Sequence, residues 1–418
     1  MSTAVPVPPP AQEQFSWYLF GAGAWFVAIG IQMVMFTYLV TTVLHAAPNM
    51  IGLAQASLTI VSTFLLLFGG AMADQVDKRQ LLIRCHLFAA LPPLALAAVV
   101  SAGTLRYEWL IAYGLAMGLV TAFVIPTREA MMADVIGPDR RAFVQRAVTT
   151  TVGVTFLGQI AGMFLARFAA EIGPEPIMLF QAGIQLFGAY TVYRLMPTAI
   201  HATEAGGAGV IARIADGVRE VAGSYALLPI TIITSAIGIL FIGSFLVVLP
   251  VILREEFGGN VQQISSMQIA FWSGSIISSI AISRLGNIVN RGRMVVFAVS
   301  TGTTILFLLS FKAPLPVLYG LVFIWGLGAG VMISMSRTIV QEHAPAAHRA
   351  RVMSIFQLGF TGGMSIGALL IGFVVDALGA RHATWVPAGS MAVVLICLLT
   401  FTKLWTITAL KHEPDASS

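Results

Sequence analysis

Residues 70–79 read Gly-Ala-Met-Ala-Asp-Gln-Val-Asp-Lys-Arg, with acids at 74 and 77 and bases at 78 and 79, set between two long apolar runs. Charges at that spacing suit pairing across helix ends. Asp74 would close one helix, accept from Arg128 at the end of another, and face the positive N-terminus of a helix starting near Arg351. Such contacts are worth on the order of 1–3 kcal/mol, enough to bias a two-state equilibrium without freezing it. Bond-making chemistry has no comparable set of residues. Gly363-Met364-Ser365-Ile366-Gly367 fits the nucleophile-elbow spacing, but it lies inside an apolar run and not on a strand-to-helix turn. There is no His-Glu-x-x-His pair and no Gly-x-x-x-x-Gly-Lys loop. The expectation is therefore no enzyme, no cofactor and no metal. Cys85 and Cys397 fall in separate apolar runs and read as buried small residues, not as a disulfide or ligand pair.

The elements that must position these charges are membrane helices. Of 418 residues, 57% are hydrophobic and 10% charged, with a mean hydropathy of +0.88, whereas a soluble domain carries about a quarter charged residues. Apolar runs repeatedly reach the roughly 20 residues needed to cross a bilayer, where backbone groups must be satisfied within the helix. The expected spans are 17–43, 50–72, 80–103, 108–132, 143–169, 175–196, 227–253, 263–285, 293–311, 315–339, 351–377 and 384–407. The fold class is an all-α integral membrane protein of twelve transmembrane helices in two six-helix, pseudo-symmetric halves. A disordered cytoplasmic leader (1–15), carrying Pro6 and Pro8 to Pro10, precedes the first half (16–196). A linker (197–226), the second half (227–408) and a cytoplasmic tail (409–418) follow. In the linker Ile211, Ile214, Val218 and Val221 recur opposite Arg213, Asp216, Arg219 and Glu220, the pattern of an amphipathic helix on the cytoplasmic surface. At an offset of 209, Arg128 matches Arg337, Arg140 matches Arg349, Gly153 matches Gly362 and Gly158 matches Gly367, as a duplicated half would.

Orientation follows from Lys and Arg. With the N-terminus cytoplasmic, only Arg106, Arg167, Arg254, Lys312 and Arg381 of the 23 basic residues fall on the opposite side. Both termini are then cytoplasmic. The net charge of +5 is this topogenic bias and calls for no nucleic-acid partner. No Asn-x-Ser/Thr acceptor occurs, in keeping with a bacterial inner membrane.

The charged hairpin resembles the major facilitator superfamily signature Gly-x-x-x-Asp-x-x-Gly-Arg-Lys/Arg, with Gly70, Asp74, Lys78 and Arg79 in register. Gln75 and Asp77 depart from it in the manner of the bacterial subgroup of enterobactin exporters and macrolide efflux proteins. Val135-Ile136-Gly137-Pro138-Asp139-Arg140 and Gln341-Glu342-His343-Ala344-Pro345 extend the resemblance along the chain. It implies a major facilitator fold, alternating access, and a cytoplasmic gate of Gly70, Asp74, Lys78, Arg79, Arg128 and Arg351. Gly153-Val-Thr-Phe-Leu-Gly158-Gln159-Ile-Ala-Gly162 is similar to the antiporter signature of drug exporters, with Gln159 where a proline is usual. With Gly363 and Gly367, Gly153, Gly158 and Gly162 also have the small-residue spacing of close helix packing.

By the same resemblance spans one, four, seven and ten line the cavity, which offers Trp25, Gln32, Phe36, Tyr113, Met117, Ser235, Phe241, Trp325 and Met332 to a substrate. Rings and methionines broken by an amide and a hydroxyl suit a small, largely apolar organic molecule. No acid lies in the middle of any expected span, and none occurs from Phe257 to Gln341. Proton coupling is thus an expectation from the family, with Asp74, Glu129 and Asp376 at span ends as candidates. The reading is a monomeric secondary exporter of a drug, siderophore or metabolite; a lysophospholipid flippase of the same fold and a non-transporting receptor are the alternatives. Replacing Asp74 by Asn is expected to abolish or strongly reduce vesicle flux while leaving membrane insertion intact; undiminished flux would remove Asp74 from the gate.

Overall fold

The computed structural model describes residues 11–73, 76–136, 141–197, 210–285, 288–345 and 348–408, and no strand occurs among them. The helices are α1 (Ala11–Tyr38), α2 (Pro48–Ala73), α3 (Lys78–Ser101), α4 (Tyr107–Ile136), α5 (Arg141–Ala166), α6 (Ala169–Ile172), α7 (Pro174–Tyr193) and α8 (Val210–Gly223). They continue as α9 (Leu227–Ile237), α10 (Gly243–Phe257), α11 (Val261–Arg284), α12 (Arg291–Leu308), α13 (Leu315–His343), α14 (Arg349–Leu378), α15 (Ala380–Ala383) and α16 (Trp385–Phe401). Eight spans among the described residues are long and apolar enough to cross a membrane. Four further helices, α2, α7, α11 and α12, have 26, 20, 24 and 18 residues.

Several boundaries move from their expected places. Helix α1 begins at Ala11, directly after the proline run, so Ala11 to Phe15 are helical where the sequence reads as leader. Proline blocks helix only up to the residue that follows it, and Glu13 favours a first turn. The last span ends at Phe401, not 407. Thr402 is extended, and the chain folds back so that the Ile407 carbonyl accepts from Gly292 N–H at 2.9 Å while Trp405 lies against Phe297. Two spans contain a π-helical turn, Leu39–Val43 continuing α1 and Gly238–Ile242 joining α9 to α10. Such turns shift the helix face by a residue and recur at functional sites.

By contacts the chain forms two units, one of residues 1–36 and 64–205, the other of 37–63 and 206–418. In the first, α1 and α5 touch backbone to backbone: a side chain at Gly162 would strike the Val27 carbonyl, and one at Gly30 the Gln159 carbonyl. In the second, α14 meets the α9–α10 span in the same way, with Gly363 against Ser235 and Gly367 against Ile239. Gly274, Gly326 and Gly330 bring α11 and α13 equally close. Each unit also contains a long helix, a four-residue helix and another long helix in succession, α5–α6–α7 and α14–α15–α16. Residues 37–63, expected with the first half, pack with the second unit. There the Arg254 guanidinium donates to the carbonyls of Thr41 (3.3 Å) and Ala46 (2.8 Å), and Gly52 lies on the Ala368 carbonyl.

The glycines of α5 therefore differ in what they permit. Gly158 stands 3.0 Å from the Gly23 carbonyl, measured from the position of an added Cβ, but Gly153, expected to pack, has nothing within 4 Å. Five residues from Gly158 is about 500° of helical rotation, which turns Gly153 away from the α1 contact. Gly162→Val should lower the thermal midpoint of the purified protein by several degrees, in line with an overpacking cost of about 1–3 kcal/mol. Gly153→Val should leave it within about 0.5 kcal/mol of wild type. Equal effects would refute the difference in packing.

Candidate functional site

Around the charged hairpin, Asp74 and Gln75 lie outside the described residues, and Gly70 falls in the last turns of α2. Asp77, which departs from the family pattern, caps α3 by accepting from the backbone N–H of Arg79 (2.9 Å) and Gln80 (3.4 Å). That cap aims the next two bases. Lys78 pairs with Asp134 near the end of α4 at 2.7 Å. The Arg79 guanidinium lies over the Tyr193 ring, 4.9 Å from its centroid, and donates to the Tyr193 carbonyl, closing the end of α7. Arg128 stacks its guanidinium on Phe26 at 4.6 Å, and its backbone carbonyl accepts from the Tyr18 hydroxyl at 3.4 Å. Its buried Nη1 has no hydrogen-bond partner among the described residues.

Arg351 pairs with Asp216 of α8, at 3.6 Å. One turn along α8, Glu220 meets His348 at 3.0 Å, and Gly217 between them lets the helix lie against Arg351 and Ile355. The linker helix is thus held to the start of α14 by an ion pair and a carboxylate–imidazole contact one turn apart, a pairing legible in the i, i+4 acids of α8 once its partner is known. Val221 is buried but Val218 is 49% exposed, and the side chains of Ile211 and Ile214 are outside the described set.

The residues expected to meet substrate fall into two groups. In the first unit, Gln181 of α7 donates to the Tyr113 hydroxyl of α4 at 2.8 Å, and Tyr113 donates to Gln32 Oε1 of α1 at 3.2 Å. Phe36 stacks on the Tyr113 ring, with centroids 5.8 Å apart, and Met117 is buried one turn further along α4. Trp25 turns to a different neighbour, meeting the His86 ring edge-on at 5.6 Å. In the second unit Trp325 of α13 is met edge-on by Phe241, Phe245 and Phe271 at 5.8, 6.2 and 5.9 Å. The π turn carries Phe241, and Gly302 leaves it room. Met332 is buried, with its sulfur accepting from the Ser336 hydroxyl. Ser235 stands apart: its hydroxyl donates to the Thr231 carbonyl of its own helix at 2.9 Å.

Of the coupling candidates, Glu129 and Asp376 are exposed. Sequence reasoning passed over His86, a titratable group in the interior of α3 whose Nδ1 lies 2.9 Å from Gln185 Oε1 and whose ring presses on Gly188. A lone histidine within an apolar run was its only signal. Cys85 is buried as expected, whereas Cys397 is exposed on α16, and both are free thiols. Among the described residues no cluster of His, Cys, Asp or Glu could hold a metal ion. Each unit thus holds its own buried cluster: a neutral hydrogen-bonded ladder with Phe36 in the first, and rings around Trp325 in the second.

A profile of the transmembrane secretion effector family matches residues 6–417. The multi-drug resistance efflux pump PmrA of Streptococcus pneumoniae serotype 4 is 25% identical over 360 residues, covering 82% of this chain and 83% of that protein. Among solved structures, an auto-inhibited POT family peptide transporter superposes with a TM-score of 0.75 at 12% identity, over 96% of this chain and 98% of that one. A mutant of the nucleoside transporter NupG gives 0.73 at 15% identity, over 93% and 100%. At such identities these structures establish the fold alone, which agrees with the all-helical architecture. With its profile spanning nearly every residue, the chain belongs to the transmembrane secretion effector family, a group of major facilitator membrane transporters.

Proposed function

We propose that this transporter exports small, largely apolar organic molecules such as drugs, siderophores or metabolites by alternating access, in exchange for protons. It would work as a monomer in the bacterial inner membrane with both termini in the cytoplasm. The observation that carries this reading is the absence of charge from two buried clusters: Trp325 ringed by phenylalanines, and the Gln181, Tyr113 and Gln32 ladder, contain no charge that an apolar solute would leave unpaired. The likeness to a protein named as a multidrug efflux pump supports the same direction of transport. Rings and thioethers bind by dispersion and shape, so one site accommodates several cargoes. The 18 to 5 distribution of basic residues supports the orientation.

Right-side-out membrane vesicles loaded with a lipophilic fluorescent dye provide the test. Extrusion is expected on imposing a pH gradient and should stop on adding a protonophore. Trp325→Ala should lower the rate about fivefold, in keeping with an edge-on aromatic contact worth about 1 kcal/mol beyond its buried area. Extrusion indifferent to the gradient would refute proton exchange, and no extrusion of any apolar dye would refute the exporter.

A further inference from the structure

We infer that Gln32 presents its amide N–H pair to an oxygen acceptor on the transported molecule, and that Tyr113 and Gln181 hold it in that orientation. The cargo class narrows accordingly to uncharged, mostly apolar molecules bearing a carbonyl or ether oxygen. This deepens the export reading above and rests on it.

The direction of the hydrogen bonds carries the argument. A tyrosine hydroxyl has one hydrogen to give. The Tyr113 oxygen already accepts from Gln181 Nε2 at 2.8 Å, and its hydrogen goes to Gln32 Oε1 at 3.2 Å. The carbonyl end of Gln32 is therefore committed to Tyr113, and the amide end points away from it. Among the described residues Gln32 Nε2 donates to no protein atom, although the side chain is only 8% exposed. An amide donor at this depth of a membrane helix is costly unless something accepts from it, and Gln32 Nε2 is not among the fully buried polar atoms. Phe36 stacks on the Tyr113 ring and restrains its rotation, so the ladder stays in register across α1, α4 and α7. Gln32 lies well inside the span Glu13–Val43, at a depth where transporters of this architecture bind substrate. An isosteric hydrocarbon would fit the same space but leave the amide unmet. A site built to hydrogen-bond one group discriminates against the analogue that lacks it.

Fluorenone and fluorene differ by one carbonyl oxygen at nearly equal size. Binding of each radiolabelled probe to the full-length protein in nanodiscs would be measured, with retention by empty nanodiscs subtracted. The wild type is expected to prefer fluorenone about tenfold, consistent with one hydrogen bond to a neutral acceptor. Gln32→Leu should bring that ratio close to one. Tyr113→Phe and Gln181→Leu, which touch no cargo oxygen themselves, should lower it to about threefold by letting the amide turn. Each variant would first be shown to elute as a single folded species. A wild type that binds both probes equally, or a Gln32→Leu protein that keeps the tenfold preference, overturns the inference and leaves the export reading standing. A wild type that binds neither probe overturns the apolar-cargo reading itself.

Discussion

A helix surrounded by lipid gains nothing from the hydrophobic effect by touching its neighbour, because lipid tails are as apolar as leucine. Association must come from close van der Waals contact, and the closest contact is backbone on backbone. That constraint explains where glycine sits in this chain. Gly30 and Gly162 let α1 and α5 meet, Gly363 and Gly367 do the same for α14 against the α9–α10 span, and Gly274, Gly326 and Gly330 for α11 and α13. Each crossing allows no side chain at those positions, so helix register is set by where the chain has none.

Close packing leaves little freedom to the polar groups caught inside. Gln181, Tyr113 and Gln32 come from three helices and satisfy one another in a directed chain, and His86 finds Gln185. In water such residues would be interchangeable with other polar side chains. In a low-dielectric interior the alternative to a partner is an unmet donor, and each bond is correspondingly directional. The aromatic cluster around Trp325 depends on geometry of another kind. The π turn at Gly238–Ile242 shifts the face of the span, and Phe241 reaches the indole because of it.

The charges at the helix ends around residues 77–79 work locally before they work at a distance. Asp77 caps α3, Lys78 reaches Asp134, Arg79 closes α7, and Arg351 is taken by Asp216 of the linker helix. The departure from the family signature at position 77 thus has a physical use, since an aspartate caps a helix far better than most residues could. Arg351 has a partner that the motif does not name, Asp216 of the linker helix, and the next turn of that helix brings Glu220 to His348.

Composition and periodicity by themselves determined that this chain is a helical membrane protein, because the bilayer admits few solutions and the apolar runs are long; the resemblance of residues 70–79 to a known signature supplied the family. Residue type singled out Gln32, a lone amide in an apolar run, while Tyr113, Phe241 and Trp325 were picked by the spans on which the resemblance places them. Partners were another matter. That Gly153 faces open space while Gly158 packs, that Trp25 meets His86, that Ser235 bonds to its own helix and that Gln181 fixes the direction of Gln32 depend on helix rotation and depth. A 100° turn per residue makes neighbours in sequence face opposite ways. Only tertiary packing selects which face meets which, and a π turn or an early helix start, invisible in hydropathy, resets that choice for every residue beyond it.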